Sequence, residues 1–235
     1  MEESCRNCEH KLCARRVPIF SNLEEHELQQ VVALIRRKRY QKGENLLFEW
    51  GELQGLVIIN QGKAKAYSNT LEGKEQILHI FYPGDFFGEK NLFVDKKTAY
   101  SVKAIEPVAI CMISKKDFQS LIRKYPGITS KILEALVIKI ENLENMIENM
   151  GSKSVDARMS KVLLDFMERS LDIEKVENTE IFNLPLSREE LANYIGVSRE
   201  TVSRKLTGLQ DLGIIRLIGN KKIQILDENK LRELS

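Results

Sequence analysis

The sequence has no run of apolar residues near the ~18–20 that a bilayer-spanning helix requires, so no membrane segment is expected. No secretory leader is expected either: Met1-Glu2-Glu3-Ser4-Cys5 is acidic, the residues after it are basic, and no apolar stretch follows. A cytoplasmic protein is therefore expected. Histidine is scarce, with three residues in the chain, and forms no paired ligand set. There is no Ser/His/acid order and no phosphate-cradling glycine loop, so no catalysis is expected. Net charge carries little information, because 36 basic residues stand against 34 acidic ones. Internal repeats and low-complexity tracts are absent as well. What remains is an ordinary globular composition, 43% hydrophobic and 30% charged, in 235 residues. That length suffices for two modest domains, each with its own core.

The charge that is present is unevenly placed. Between Arg199 and Lys222 six basic residues (Arg199, Arg204, Lys205, Arg216, Lys221, Lys222) face only Glu200 and Asp211. A basic stripe in a neutral protein is the footprint of a nucleic-acid-contacting face, although a merely solvated face has the same composition. Upstream, short β-type runs fill residues 45–48, 55–60, 63–67, 76–81, 101–104 and 108–113, broken by Gln61-Gly62, Glu72-Gly73 and Pro83-Gly84-Asp85. Their spacing predicts an antiparallel β-barrel or β-roll, preceded by a short amphipathic helix with Val31, Val32 and Ile35.

A long helix is predicted from about Pro126 to Met150. Leu133, Leu136, Ile140, Leu143, Ile147 and Met150 follow a 3-4 spacing, which is the seam of a two-stranded coiled coil. Ile132, Val137 and Ile138 add apolar surface, so one face is expected to touch the β-roll and another a second subunit. Gly151-Ser152 reads as a hinge. A further helix is expected over 154–170, and the acidic stretch 172–180 reads as a loop.

Ser187-Arg188-Glu189-Glu190 is a capping box, in which an N-cap serine and a glutamate three residues later satisfy each other's backbone amides. The helix it opens carries Leu191, Ala192 and Ile195. Gly196 supplies a tight turn, Val197 is expected to insert into the core, and Ser198 caps the next helix, with Val202, Leu206 and Leu209 inward. Helix, glycine turn, helix is the arrangement that places a second helix in the DNA major groove. Arg199, Glu200, Ser203 and Arg204 share the opposite face: arginine can fork onto guanine, glutamate can accept from cytosine, and serine can approach base edges or phosphate. Residues 214–225 read as a β-hairpin wing turning at Gly219-Asn220, with Lys221 and Lys222 available to phosphate.

On these motifs the chain resembles the CRP/FNR family of bacterial transcription regulators over nearly its whole length. Residues 191–204, LANYIGVSRETVSR, are similar to that family's helix-turn-helix, and Gly84-Asp85-Phe86-Phe87-Gly88-Glu89 to its β-roll signature. The resemblance implies an α+β fold: an N-terminal antiparallel β-roll of the cyclic-nucleotide-binding kind, a long dimerisation helix and a C-terminal winged helix-turn-helix. The corresponding boundaries are 1–17 for a cysteine-rich leader, 18–125 for the β-roll sensor, 126–151 for the dimerisation helix and 152–235 for the DNA-binding domain. Glu200, Ser203 and Arg204 match the reading set of the FNR branch, which implies TTGAT-like half-sites in an inverted repeat. Ser187, Ser198, Arg199 and Lys221 complete the expected DNA-binding set. The implied partners are promoter DNA, a second copy of the chain and RNA polymerase.

The sensor chemistry turns on four cysteines: Cys5, Cys8 and Cys13 in the leader and Cys111 far downstream. The resemblance implies that they hold an oxygen-labile 4Fe-4S iron-sulfur cluster, one thiolate per outer iron. Arg6, Lys11, Arg15 and Arg16 would favour the thiolate forms. The leader spacing, C-x2-C-x4-C, is one residue shorter than the familiar pattern of that branch. The same four thiolates also suit zinc, and two of them a regulatory disulfide. His10 is placed to substitute for a ligand but reads as a solvated residue, and His26 and His79 carry no signal. A cyclic nucleotide is a further alternative: Gly88-Glu89 is present, but Lys97-Thr98-Ala99 stands where a phosphate-gripping arginine belongs, and lysine cannot reproduce its bidentate fork. Leu143 occupies the place of an acidic seam residue of FNR-type chains, which implies a dimer that persists without the cluster.

Overall fold

A computed structural model describes residues 3–4, 14–21, 23–70, 73–94, 96–152, 154–170, 173–176 and 179–235. The chain divides into two compact units, Met1–Thr70 with Leu78–Glu144, and Leu71–Ile77 with Asn145–Ser235.

The first unit begins with β1 (Glu3–Ser4), two short helical turns (Ala14–Arg16 and Pro18–Phe20) and α1 (Glu25–Leu34). It continues through β2 (Arg36–Tyr40), β3 (Asn45–Leu47), β4 (Gly55–Gln61), β5 (Ala64–Asn69), β6 (Glu75–Phe81, its first three residues falling in the second unit), β7 (Phe86–Phe87), α2 (Glu89–Phe93), β8 (Ser101–Ala104), β9 (Val108–Ser114) and α3 (Lys115–Lys124). The long helix α4 (Pro126–Ser152) follows. Two sheets form the roll, in the orders β1-β2-β9-β4-β7 and β3-β8-β5-β6. Their alternation explains the near-continuous apolar runs. Val57, Ile59, Val108 and Ile110 point into one core with Phe81, Phe87 and Val102, whereas Leu56, Ile58, Cys111 and Ile113 point to the other face. There they meet Phe20, Leu28, Val31, Phe118, Ile128 and Ile132. A strand buried on both faces has no polar side to show.

All six expected strands are present. β2 was not legible, because its sequence, RRKRY, has neither apolar alternation nor a core face. It is held by its ladder to β9, where Arg37 lies opposite Cys111. Gly88 sits at φ 92, and a Cβ there would lie 2.4 Å from the Gly55 carbonyl oxygen. The signature glycine is thus demanded by the backbone itself.

In α4 the apolar faces divide differently from expectation. Ile128 and Ile132 are buried and Leu136 packs against the roll's own core, while Leu133, Val137, Ile138, Ile140 and Leu143 are each more than half exposed. Leu136 therefore leaves the expected seam and Val137 and Ile138 join the outward face. The side chains of Ile147 and Met150 lie outside the described residues. The helix passes through Gly151 to Ser152, two residues beyond the expected end.

The second unit contains α5 (Val155–Glu168), β10 (Glu174–Val176), β11 (Thr179–Asn183), α6 (Arg188–Ile195), α7 (Arg199–Asp211), β12 (Ile215–Ile218), β13 (Lys222–Ile225) and α8 (Glu228–Glu233). Its sheet runs β10-β11-β13-β12. The acidic stretch expected to be a loop supplies β10, which pairs Glu174 with Ile181 and Val176 with Thr179. Pairing to a neighbouring strand overrides the weak strand propensity of those residues. Met159, Leu163, Phe166, Leu191, Ile195, Val202, Leu206, Leu209 and Ile223 form the core. Val197 is only half-buried.

Candidate functional site

In the second unit the two caps form as the sequence predicts. The Ser187 amide donates to Glu190 Oε2 at 2.9 Å, and the Glu190 amide donates to Ser187 Oγ at 3.3 Å. Gly196 ends α6 at φ 73, a left-handed conformation that any β-carbon would strain. The Thr201 amide donates to Ser198 Oγ at 3.1 Å and opens α7.

Arg199, Glu200 and Arg204 are exposed and Ser203 is half-buried, all within the first two turns of α7. Hydrogen bonds from the Glu200 backbone amide and the Ser198 hydroxyl, with Arg199 adding to them, hold the Glu200 carboxyl below the usual carboxylate range. Arg204 Nη2 donates to Thr201 Oγ1 at 3.3 Å, and Thr201 Oγ1 in turn lies 3.1 Å from Ser198 Oγ. Thr201 thus ties the cap to the arginine. It was missed in the sequence, though its place three residues after the cap serine was the available signal.

Apart from Arg216, whose Nη1 donates to Gln224 Oε1 at 3.5 Å, the basic stripe sorts into two groups. Lys205 Nζ contacts Asp156 Oδ2 of α5 at 2.7 Å, and Lys222 Nζ contacts Glu174 Oε1 at 2.7 Å. Both are committed to holding the unit together. Arg199, Arg204 and Lys221 remain exposed on α7 and at the wing turn between β12 and β13. These side chains form a positive, solvent-facing surface around a capped helix start, the geometry that suits phosphate and base edges.

In the first unit Cys111 is 2% exposed on β9, directly opposite Ile58 of β4. It lines a cavity of about 10 Å³ together with Ala14, Val17, Ile35, Ile58 and Asn60. Ala14, also 2% exposed, is peptide-bonded to Cys13. Cys5, Cys8 and Cys13 themselves lie outside the described residues. Among the described residues no cluster of three or more metal-ligating side chains occurs.

The nucleotide-type positions are arranged differently from one another. Glu89 is buried at the start of α2. Burial, with the Glu89 carboxylate adding to it, pushes the Tyr100 hydroxyl well above the usual phenol range. Thr98 Oγ1 donates to the Phe48 and Gly51 carbonyls at 3.1 and 3.3 Å, whereas Lys97 is exposed.

Comparison with known proteins agrees with this architecture. Residues 37–125 match the cyclic nucleotide-binding domain family, and residues 157–234 match the Crp-like helix-turn-helix domain family. The chain is 30% identical over 233 residues to the fumarate and nitrate reduction regulatory protein of Vibrio cholerae, covering 98% of this chain and 90% of that one. It is 28% identical to the nitrogen fixation regulation protein FixK of Bradyrhizobium diazoefficiens, over 98% of this chain and 93% of that one. The fold is shared with FixK2 from Bradyrhizobium japonicum at a TM-score of 0.74 and 22% identity, over 85% of this chain and 96% of that one. With the β-roll, the long helix and the winged helix-turn-helix all in place, the chain belongs to the CRP/FNR family of transcription regulators.

Proposed function

We propose that this regulator senses oxygen or redox state through a 4Fe-4S cluster on Cys5, Cys8, Cys13 and Cys111, and that it binds TTGAT-like inverted repeats as a dimer. Ala14 carries the reading. Ala14, which follows Cys13 in the sequence, packs on the wall of the cavity that Cys111 lines. Four thiolates are the donor set that such a cluster takes. Asn60 also lines the cavity, and its buried Nδ2 has no hydrogen-bond partner among the described residues. The chain's four cysteines match that donor set in number and chemistry. When bound, the cluster supplies an oxygen-labile link between leader and β-roll.

The protein's own residues do the rest. β9 fixes the position of Cys111, and Arg37 is its register partner on β2. The same core cluster continues through Val17 and Phe20 to Ile128 and Ile132 of α4, so a change at the leader bears on the helix that carries the exposed apolar face. That face, Leu133 to Leu143, is the expected contact with a second copy. At the DNA, Glu200, Ser203 and Arg204 read base edges, while Ser187, Ser198, Arg199 and Lys221 position the helix and wing on the backbone. Such a regulator acts in the cytoplasm, at promoters, with RNA polymerase.

Anaerobic purification followed by iron and sulfide analysis tests the reading. About four irons and four sulfides per chain are expected, with visible absorbance that fades in air together with DNA binding. A colourless, iron-free protein that binds DNA under strict anoxia overturns it, and stoichiometric zinc in that protein would assign the thiolates to the structural-metal alternative.

A further inference from the structure

We infer that Arg158, near the start of α5, is a positioning residue for DNA binding: its guanidinium holds the end of α6 and so fixes the angle at which α7 is presented. The deciding contact is one hydrogen bond. Arg158 Nη1 donates to the Ile195 carbonyl at 2.8 Å. Ile195 is the last residue of α6, where the final carbonyls have no partner within their own helix. That end is also the negative pole of the helix dipole, so a cationic donor suits it.

The turn beside this contact is the one that aims the second helix. The Gly196 and Val197 amides both donate to the Ala192 carbonyl, at 2.9 and 3.0 Å, and Ser198 then caps α7. A Cβ at Gly196 would lie 3.7 Å from Arg158 Nη1, so the guanidinium rests against the turn as well as against α6. Two residues earlier on α5, Asp156 holds Lys205 of α7. The start of α5 therefore grips both helices, α6 at its end and α7 along its side, with Gly196 as the bend between the two grips.

Arg158 is half-buried, and its Nε has no hydrogen-bond partner among the described residues. A buried donor left unsatisfied costs stability, so the guanidinium is explained by the geometry it enforces rather than by what it adds to the fold. Base edges are read only from a narrow range of positions, whereas phosphate tolerates more freedom. A loosened turn should therefore cost affinity for the preferred sequence and leave general DNA binding nearly intact.

Full-length wild type, Arg158→Met, Arg158→Gln and Arg158→Lys, all handled anaerobically, are compared on a duplex that wild type selects from a random pool and on an unrelated duplex of equal length. Because the protein picks its own site, the test does not depend on the half-sites or the cluster proposed above. Arg158→Met and Arg158→Gln should bind the selected duplex about tenfold more weakly, with little change on the unrelated one and with the wild-type salt slope. Arg158→Lys, which keeps a cationic donor, should recover part of the loss. Amide exchange at Gly196 and Val197 should quicken about tenfold in the neutral variants, while the β11–β13 ladder exchanges as in wild type. A folded neutral variant that keeps the wild-type preference and the wild-type exchange at the turn overturns the inference. Neutral variants that do not fold, or exchange that quickens equally in turn and ladder, overturn it too, because Arg158 would then serve the fold as a whole. A salt slope smaller by about one, with preference intact, assigns Arg158 to phosphate instead.

Discussion

Lys205 on α7 and Asp156 on α5 form a 2.7 Å ion pair that fastens the helix bearing the exposed arginines to the helix behind it. A lysine in the middle of a basic stripe is thereby turned away from phosphate duty. Both side chains are about a third or more exposed, so the pair is worth no more than about 1 kcal/mol. Lys205→Ala should leave the salt dependence of DNA binding almost unchanged, whereas Lys221→Ala should reduce the slope by about one ion. Titrations over a range of salt concentrations separate the two; equal slopes for both variants would contradict this sorting of the stripe.

Arg204 is exposed and steered by Thr201 through a 3.3 Å hydrogen bond. Arg204→Ala should cost about 1–3 kcal/mol on the preferred sequence and relax base preference at one position. Binding measured against a set of single-base operator variants checks this. A uniform loss across all sequences would assign Arg204 to the backbone instead.

Glu200 is held ionised by its own backbone amide, Ser198 and Arg199. Its folded pKa is depressed, so the stability it contributes is present above the ordinary carboxylate range and is lost only as pH falls through the lowered value. Between about pH 5 and pH 8 its charge is constant. Glu200→Gln should therefore alter base preference by the same factor across that window. A wild-type to variant ratio that changes with pH there would mean that Glu200 titrates.

Leu143 is exposed on the outward face of α4. An apolar residue there favours association whether or not the leader is ordered, so cluster-free wild type should elute as a dimer. Leu143→Glu should elute as a monomer, because like charges would meet across the two-fold axis of a parallel pair. Gel filtration of both proteins decides it, and a monomeric cluster-free wild type would refute the constitutive dimer.

Gly88→Ala tests whether the signature glycine serves the fold. The substitution meets both a positive φ and a 2.4 Å approach to the Gly55 oxygen. A loss of about 2 kcal/mol or more is expected with no ligand added. Denaturant unfolding measures it, and an unchanged midpoint would return the glycine to a ligand-binding role.

The sequence by itself determined the elements whose signals are local. Capping boxes, glycine turns and alternating apolar runs act over three or four residues, and so Ser187, Gly196, Ser198 and the six apolar strands were legible. So was the outward placing of Arg199, Glu200 and Arg204, because helical spacing sets them opposite Val202 and Leu206. Only the tertiary structure decided what depends on distant partners. β2 and β10 are strands through pairing with β9 and β11, not through their own composition. Leu136 faces inward and Val137 outward because the core beneath α4 takes one stripe and leaves the other. Lys205 and Lys222 leave the basic surface because Asp156 and Glu174, each nearly fifty residues away, meet them. Cys111 gains Ala14 and Asn60 as neighbours for the same reason: a leader and two strands converge on one small cavity, and no spacing in the sequence records that meeting.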